Sequence, residues 1–570
     1  MHNNFKIKAF AKFPFFAVLF VFILASCVEK SDNIVDASNK KYGGVYRINF
    51  DDTKPFTFFP PQAKISGSID MIEVAYETLL KFNNDGSAIE GYLAKSWEIN
   101  EAGDEYTIHL NENIYFHDDP CFKDGLGREL ISDDVAFCLT QLCTPGKMNS
   151  NSRLISEQIV GGMERIESQE ETFSSQYLKG INIIDDYTLQ IKLVGPSYSF
   201  NNYLTHYATS IYPKEALIHY GPLMRGNMVG TGPFQLKTRI PGKTAIFIRN
   251  NKYWMEDDEG NPLPYLDGVK VTFESNHSEV LSIANKNMLD LMINPSRAIQ
   301  KHLNITNDTS ITSTGFYKSE YPAFDIQYLG FLLTDSNYMD LRVRKAFNLA
   351  IDRKFIVDSV LSERADIANY GIIPRTFTEY EIKEGHKYDP ELARQLMIEA
   401  GYNANNKFPR QTLHITTSED GLLVAGAVQS MLFKNLGVSI DLSALDTDNH
   451  YEKYEEGRFP LAADRWAADY YDADNFLNLY VSYLTPEQGG QNLGHFDNQE
   501  FDSLFQKGLT EFDSEERLSL FADANTILYE NSAFIPIYSS KTMVIMSTRT
   551  RGLTNPNVNK LPLKTIYIKK

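Results

Sequence analysis

Leu413-His414-Ile415-Thr416-Thr417, then an apolar-rich run from Leu422 to Leu436, then Gly437-Val438-Ser439-Ile440-Asp441-Leu442: this stretch decides the fold class. Leu413 and Ile415 alternate with polar neighbours, the period of a strand. The run from Leu422 to Leu436 has helical length, and Gly437 can close it in a left-handed turn. A second strand signal, Val438–Leu442, follows at once. The same alternation marks Gly44–Phe50, Tyr106–Leu110, Thr188–Leu193 and Val269–Phe273. Helical signals stand between these strands. Asp389-Pro390-Glu391 opens one helix, with Asp389 as N-cap and Pro390 in the first turn. Leu392, Leu396 and Ala400 give its apolar stripe, and Gly401 closes it. Asp340 opens another, with Val343, Phe347, Ala350 and Ile351 on one face. A further helix is predicted from about Ser514 to Asn531, before Pro536. Strands mixed with helices over this length imply α/β domains. The chain carries no internal repeat and no long low-complexity segment.

The start of the chain indicates the compartment. Lys6, Lys8 and Lys12 precede an apolar run, Phe13 to Cys27, and no acid occurs before Glu29. A basic start and a short apolar stretch ending in small residues read as a secretion signal. The run is too short for a bilayer, which needs ~20 apolar residues. Leu24-Ala25-Ser26-Cys27 resembles the bacterial lipobox, in which cleavage precedes the cysteine and its thiol carries diacylglycerol. Residues 1–26 are then the leader, Cys27 the lipidation site, and 27–41 a polar tether. The expected location is the cell envelope, on the extracytoplasmic or periplasmic face of a membrane. Val28 after the cysteine does not prescribe retention at an inner membrane.

Cleavage leaves 544 of the 570 residues, enough for two to four domains. The leader removes three lysines and no acid, so the net charge of −19 becomes −22. So acidic a body argues against a nucleic-acid partner and against lying flat on anionic lipid. Apolar content is 43%, and Tyr and Phe number 32 and 36, so aromatic faces are available for pockets as well as cores. Of Cys121, Cys138 and Cys143, at least one must stay unpaired. Cys138 and Cys143 do not share a helical face, and an oxidising compartment permits a bridge from Cys121 to either. The 11 scattered histidines form no constellation that selects a metal or haem, so no cofactor is expected.

A series of phrases then falls in order. Gly43-Gly44-Val45-Tyr46-Arg47-Ile48 is followed by Tyr76-Glu77-Thr78-Leu79-Leu80, Leu93-Ala94-Lys95-Ser96-Trp97-Glu98 and Ile114-Tyr115-Phe116-His117-Asp118. Asp133-Asp134-Val135-Ala136-Phe137, Gly230-Thr231-Gly232-Pro233-Phe234 and Asn251-Lys252-Tyr253-Trp254 come next. Leu341 to Arg353, Glu399-Ala400-Gly401-Tyr402, Trp466-Ala467-Ala468-Asp469-Tyr470 and Ile535-Pro536-Ile537-Tyr538 complete it. This series resembles the family 5 extracellular solute-binding proteins, the oligopeptide and dipeptide receptors of ABC importers, over almost all of residues 42–555. The resemblance implies a two-lobed periplasmic-binding-protein-like α/β fold, type II of the large cluster, with an extra inserted domain. Lobe I would comprise 42–82, 216–325 and 533–570, the inserted domain 83–215, and lobe II 326–532. Crossings near Tyr328–Phe331 and Ala533–Pro536 would form the hinge.

The resemblance also implies the site. Asp469 matches the family position that grips a peptide amine, and a buried ammonium needs such a carboxylate. Trp466 would wall the pocket and Tyr470 add area, while backbone hydrogen bonds hold the rest of the peptide. Read locally, Asp469 is equally a helix cap or a surface acid. In oligopeptide receptors an arginine can stand three residues before the tryptophan. Here that position is Ala463, and Arg465 is either a contact for the far end of the ligand or a surface or interlobe ion pair. Tyr76 and Glu77 either face the cleft or pack inside lobe I. Arg342 and Arg344 read as structural ion pairs, and His117 as the end of a strand-turn. Tyr470-Tyr471-Asp472-Ala473-Asp474 lacks the glycine turn and distal glutamate of a calcium loop and reads as a solvated loop.

Gly242-Lys243-Thr244 fails as a phosphate loop, since its earlier glycine falls at Lys237. No Gly-x-Ser-x-Gly and no His-Glu-x-x-His occurs. The expectation is a monomeric, non-enzymatic, lipid-anchored receptor that delivers peptides to an ABC permease and its ATPase subunits. A sensor with the same cleft and an envelope peptidase are the alternatives.

Overall fold

The computed structural model describes residues 41–50, 57–64, 66–83, 86, 88–168, 176–303, 315–380, 385–488, 490–553 and 561–569. The leader, Cys27 and the tether up to residue 40 lie outside them.

Each predicted strand is present within three residues of its expected ends. Gln411–Thr416 and Ile440–Leu445 lie side by side in parallel. Between them the helix Glu419–Leu436 is capped by Ser418 and ends on Gly437 at φ 69°. Asp340 and Asp389 cap their helices by accepting from the N–H groups of Arg342 and Leu392. Val343, Phe347, Ala350 and Ile351 are buried as expected. Of the stripe expected on the helix Pro390–Glu399, Leu396 and Ala400 pack half-buried against the core. Ala393 and Met397 are buried, whereas Leu392 faces solvent. The buried face is thus rotated toward Ala393 and Met397, where the helix packs on Leu341–Leu349 and Glu419–Leu436.

One sheet path joins the lobes. In the first lobe Val45–Phe50 pairs in parallel with Gly268–Phe273 and with Leu291–Ile293. The long strand Phe534–Ser547 then changes partners along its length. Its C-terminal half pairs with Leu291–Ile293 and Phe316–Pro322, and its N-terminal half with Asp325–Phe331. Asp325–Phe331 in turn pairs with Leu461–Ala467 throughout. The change of strand partners falls at 323–324 and near Ser540, a few residues from the expected crossings at Tyr328–Phe331 and Ala533–Pro536.

A separate four-stranded sheet, Ala94–Ile99, Glu105–Leu110, Thr188–Lys192 and Ile181–Asp185, belongs to the inserted region. The helix Ser132–Leu142 packs on it and buries Cys138; its C-cap is the buried Cys143. No bridge forms: Cys121, Cys138 and Cys143 are all free. Cys138 instead donates to the Tyr212 carbonyl at 3.2 Å, and burial pushes the Cys143 thiol up to about 12.

The phrase Gly230-Thr231-Gly232 has a steric reason. The Gly232 N–H donates to the Ala75 carbonyl at 3.0 Å, and a Cβ on Gly230 would lie 2.1 Å from that oxygen. Only glycine lets the end of the helix Ser66–Ala75 meet this backbone so closely.

Candidate functional site

Asp469 leaves the sheet where the strand Leu461–Ala467 ends, one residue after Ala468 donates to the Phe324 carbonyl at 2.7 Å. The short helix Asp474–Leu477 begins just beyond and carries Asn475. The Asn475 Oδ1 accepts from the Trp466 indole Nε1 at 2.9 Å and from the Asp469 backbone N–H at 3.2 Å. Trp466 and Asp469 are thus tied to one amide. The Asp469 side chain keeps 38% of its surface open, although protein crowds it beyond that opening. This crowding raises its carboxyl to about 6, against a hydrogen bond from Asn475 that favours the ionised form.

Beside Asp469 stand His206 and Tyr207. The His206 Nε2 lies 3.9 Å from the Asp469 Oδ1, and its Nδ1 accepts from the Ala208 N–H at 3.1 Å. In a neutral ring the proton therefore sits on Nε2, toward the acid. Tyr207 donates to the Ala63 carbonyl of the first lobe at 3.1 Å. An acid of the second lobe thus faces a histidine and a tyrosine of the inserted region. Among the described residues no lysine or arginine lies within ion-pair distance of Asp469. The arrangement suits capture of a cation.

Other expected contacts lie elsewhere. Tyr470 is buried and meets the Tyr203 ring edge-on at 5.5 Å, so it packs against the inserted region. Arg465 binds the buried Asp325 at 2.7 Å, and Asp325 also accepts from the Ser540 N–H at 2.7 Å. Arg465 therefore braces the two crossing strands. Tyr76 and Glu77 do not reach the cleft. The Tyr76 hydroxyl accepts from the Val229 N–H, and Glu77, 1% exposed, binds Thr231, Tyr253 and Trp254 inside the first lobe. Their helix ends against the Gly230–Gly232 backbone, which turns both side chains inward.

His117 is buried, with its Nε2 2.8 Å from the Gly232 carbonyl, and burial lowers it to about 4. Arg342 pairs with Asp340 as expected. Arg344 instead donates to the carbonyls of Tyr338, Met339, Asn531 and Ser532.

The supposed solvated loop is interior. Asp472 pairs with Arg517 at 2.8 Å and accepts from the Asn202 amide at 3.0 Å. Arg517 also reaches the Ser199 hydroxyl at 3.3 Å and lies over the Tyr198 ring. Asp474, 1% exposed, sits beside this pair and is pushed up to about 7 by burial and by the Asp472 charge. Asn202 and Ser199 belong to the inserted region, so the network joins it to the second lobe. Asn475 and Arg517 were missed because their partners lie at separations no local pattern displays. The one signal was an asparagine opening the apolar run Phe476-Leu477 just after Asp469.

A cavity of about 1400 Å3 opens between the same bodies, lined by Phe82, Trp97, Tyr198, Tyr370, Arg375 and Tyr471 among others. Asp469 does not line it; Tyr471 and Asp472 stand at its wall.

Residues 88–485 match bacterial extracellular solute-binding proteins, family 5, in their middle region. The periplasmic oligopeptide-binding protein OppA of Salmonella typhimurium is 26% identical over 507 residues, covering 87% of this chain and 86% of that protein. Heme-binding protein A of Haemophilus influenzae is 24% identical over 484 residues, 84% of each. The fold is that of the periplasmic binding protein DppA from Helicobacter pylori, solved with the peptide STSA. There the TM-score is 0.74 at 23% identity, over 93% of this chain and 99% of that one. No helix of the described residues is long and apolar enough to cross a membrane. With its two-lobed α/β fold and a match across most of its length, the chain belongs to the family 5 extracellular solute-binding proteins and is a binding protein, not an enzyme.

Proposed function

We propose that this receptor captures peptides between its lobes, neutralises their terminal ammonium with Asp469, and delivers them to the permease of an ABC importer. Cys27 would anchor it by lipid. The observation that carries the reading is the Asp469 carboxylate, partly exposed and opposed by His206, with no lysine or arginine at ion-pair distance among the described residues. Peptide recognition in the names of OppA and of the DppA complex supports the same choice. The lobes, 42–82 with 216–325 and 533–570 against 326–532, would close by bending near 323–324 and Ser540, with 83–215 carried by the first. A ligand that binds the closed form more tightly shifts the population toward it.

Titration calorimetry with trialanine and N-acetyl-trialanine tests this. Asp469→Asn is expected to weaken trialanine at least ~30-fold, the low end of ~2–5 kcal/mol for breaking a desolvated charge pair. The acetylated peptide should bind both proteins weakly and alike. Equal trialanine affinity in the two proteins would refute the assignment. For the anchor, Cys27→Ser should move the protein from the membrane fraction to the soluble envelope fraction; continued sedimentation with membranes would exclude lipidation there.

A further inference from the structure

The cavity of about 1400 Å3 stands apart from the proposed ammonium grip. Asp469, Trp466, His206 and Tyr207 all lie outside its wall. After Asp469, which faces His206, the chain buries Tyr470 against Tyr203, and only then do Tyr471 and Asp472 reach the cavity. Every body contributes to the wall. Phe82 comes from the first lobe, Trp97 and Tyr198 from the inserted region, and Tyr370, Arg375 and Tyr471 from the second lobe.

The rings among these residues offer flat apolar area, and part of that area is held in place. The Tyr471 ring stacks on Phe377 with centroids 4.3 Å apart, and its hydroxyl donates to the Glu379 carboxylate at 2.8 Å. The Arg375 guanidinium lies 3.4 Å over the centre of the Tyr370 ring. Stacking of this kind fixes the plane of the group and leaves its edge N–H donors free for an oxyanion.

Among the described residues Arg375 has no ion pair and no hydrogen-bond acceptor. The acids of the wall are placed elsewhere. Asp366 pairs with Lys541 at 3.3 Å, Asp472 with Arg517 at 2.8 Å and Asp358 with Lys354. Glu379 holds Tyr471, and Glu363 is exposed at the rim. One planar cation is thus left uncompensated beside aromatic walls.

We propose that this cavity is a second binding site, for a planar aromatic anion whose ring lies among Trp97, Tyr198 and Tyr471 and whose carboxylate meets Arg375. Small-molecule sites combine mostly apolar walls with a few placed polar groups, commonly in ~300–1,000 Å3, so a two-ring molecule fits here with room to spare. The proposal does not rest on the reading of Asp469.

Titration calorimetry with naphthoate, naphthamide and butyrate is the test. Naphthoate has ring and charge, naphthamide the ring alone, butyrate the charge alone. The wild type should bind naphthoate at one site, about tenfold more tightly than naphthamide, the scale of a hydrogen bond to a charged group. Butyrate should bind more weakly still. Arg375→Gln should bring naphthoate down to the naphthamide level and leave naphthamide and trialanine unchanged. Saturating trialanine should leave naphthoate bound.

Equal affinity of the wild type for naphthoate and naphthamide would overturn the proposal without any variant. So would an Arg375→Gln protein that keeps its full affinity for naphthoate. Complete displacement of naphthoate by trialanine would put both in one site and overturn it as well. Asp469→Asn separates the two readings. Lost trialanine binding with intact naphthoate binding supports two sites, whereas unchanged trialanine binding overturns the ammonium grip and leaves the aromatic-anion site standing.

Discussion

Arg517→Met is expected to cost about 3–5 kcal/mol of stability and to loosen the inserted region from the second lobe, because it leaves Asp472 buried without its cation. Arg517 does more than pair with one acid. It donates to the Gly508 carbonyl at 3.0 Å and to Ser199, and it lies between the Tyr198 and Phe521 rings. Ser199 and Tyr198 belong to the inserted region, so one guanidinium links two bodies. Urea unfolding of the ligand-free protein measures the loss, and small-angle scattering the separation. A change under 1 kcal/mol with an unaltered scattering profile would contradict the prediction.

The neighbouring Asp474 adds a pH slope of known sign. Its carboxyl is raised to about 7 in the folded protein, above the 3.8 of a free side chain. The folded state therefore holds a proton that the unfolded chain has released. The contribution is fully present below pH ~4 and is lost as pH rises through 7. Asp474→Asn should flatten stability over that interval, and an unchanged slope would assign it to another group.

Much of this architecture is legible because its determinants are local. Asp340 and Asp389 cap the helices they precede, and Gly437 takes the left-handed turn that ends another. Strand alternation needs only a buried face and an open one. In the stripe Leu392, Leu396 and Ala400 only Leu392 is exposed, because helical period fixes spacing but not the exact rotation. The loop at Asp472 and Asp474 reads as solvated because acids next to one another usually are; the residue that lets them be buried, Arg517, is far along the chain. Asp469 stands out only within the longer phrase Trp466 to Tyr470. Asn475 stays hidden because its value lies in whom it touches. For Tyr76 and Glu77, the phrase fixes their place in the chain, but its neighbours do not say which way the chain turns them.

That last distinction has a sharp consequence. Glu77→Leu should lower stability by about 3–5 kcal/mol while leaving trialanine affinity, per folded molecule, unchanged. The Glu77 carboxylate accepts from Thr231 Oγ1 at 2.7 Å, Tyr253 at 2.8 Å and Trp254 Nε1 at 3.1 Å. Leucine fills similar space and strands all three buried donors, each worth ~1–3 kcal/mol unsatisfied, with some relief from rearrangement. Thr231 sits between the two glycines that accept the helix end at Ala75, so the damage falls on the seam between that helix and the first-lobe sheet. Glu77→Gln keeps an oxygen for two of the donors and should cost less than Glu77→Leu. The cleft lies outside this seam, and Asp469, Trp466 and Asn475 share no hydrogen bond with it. Urea denaturation paired with calorimetry on the folded fraction separates the two effects. Intact stability with lost binding in Glu77→Leu would mean that Glu77 turns toward the ligand after all.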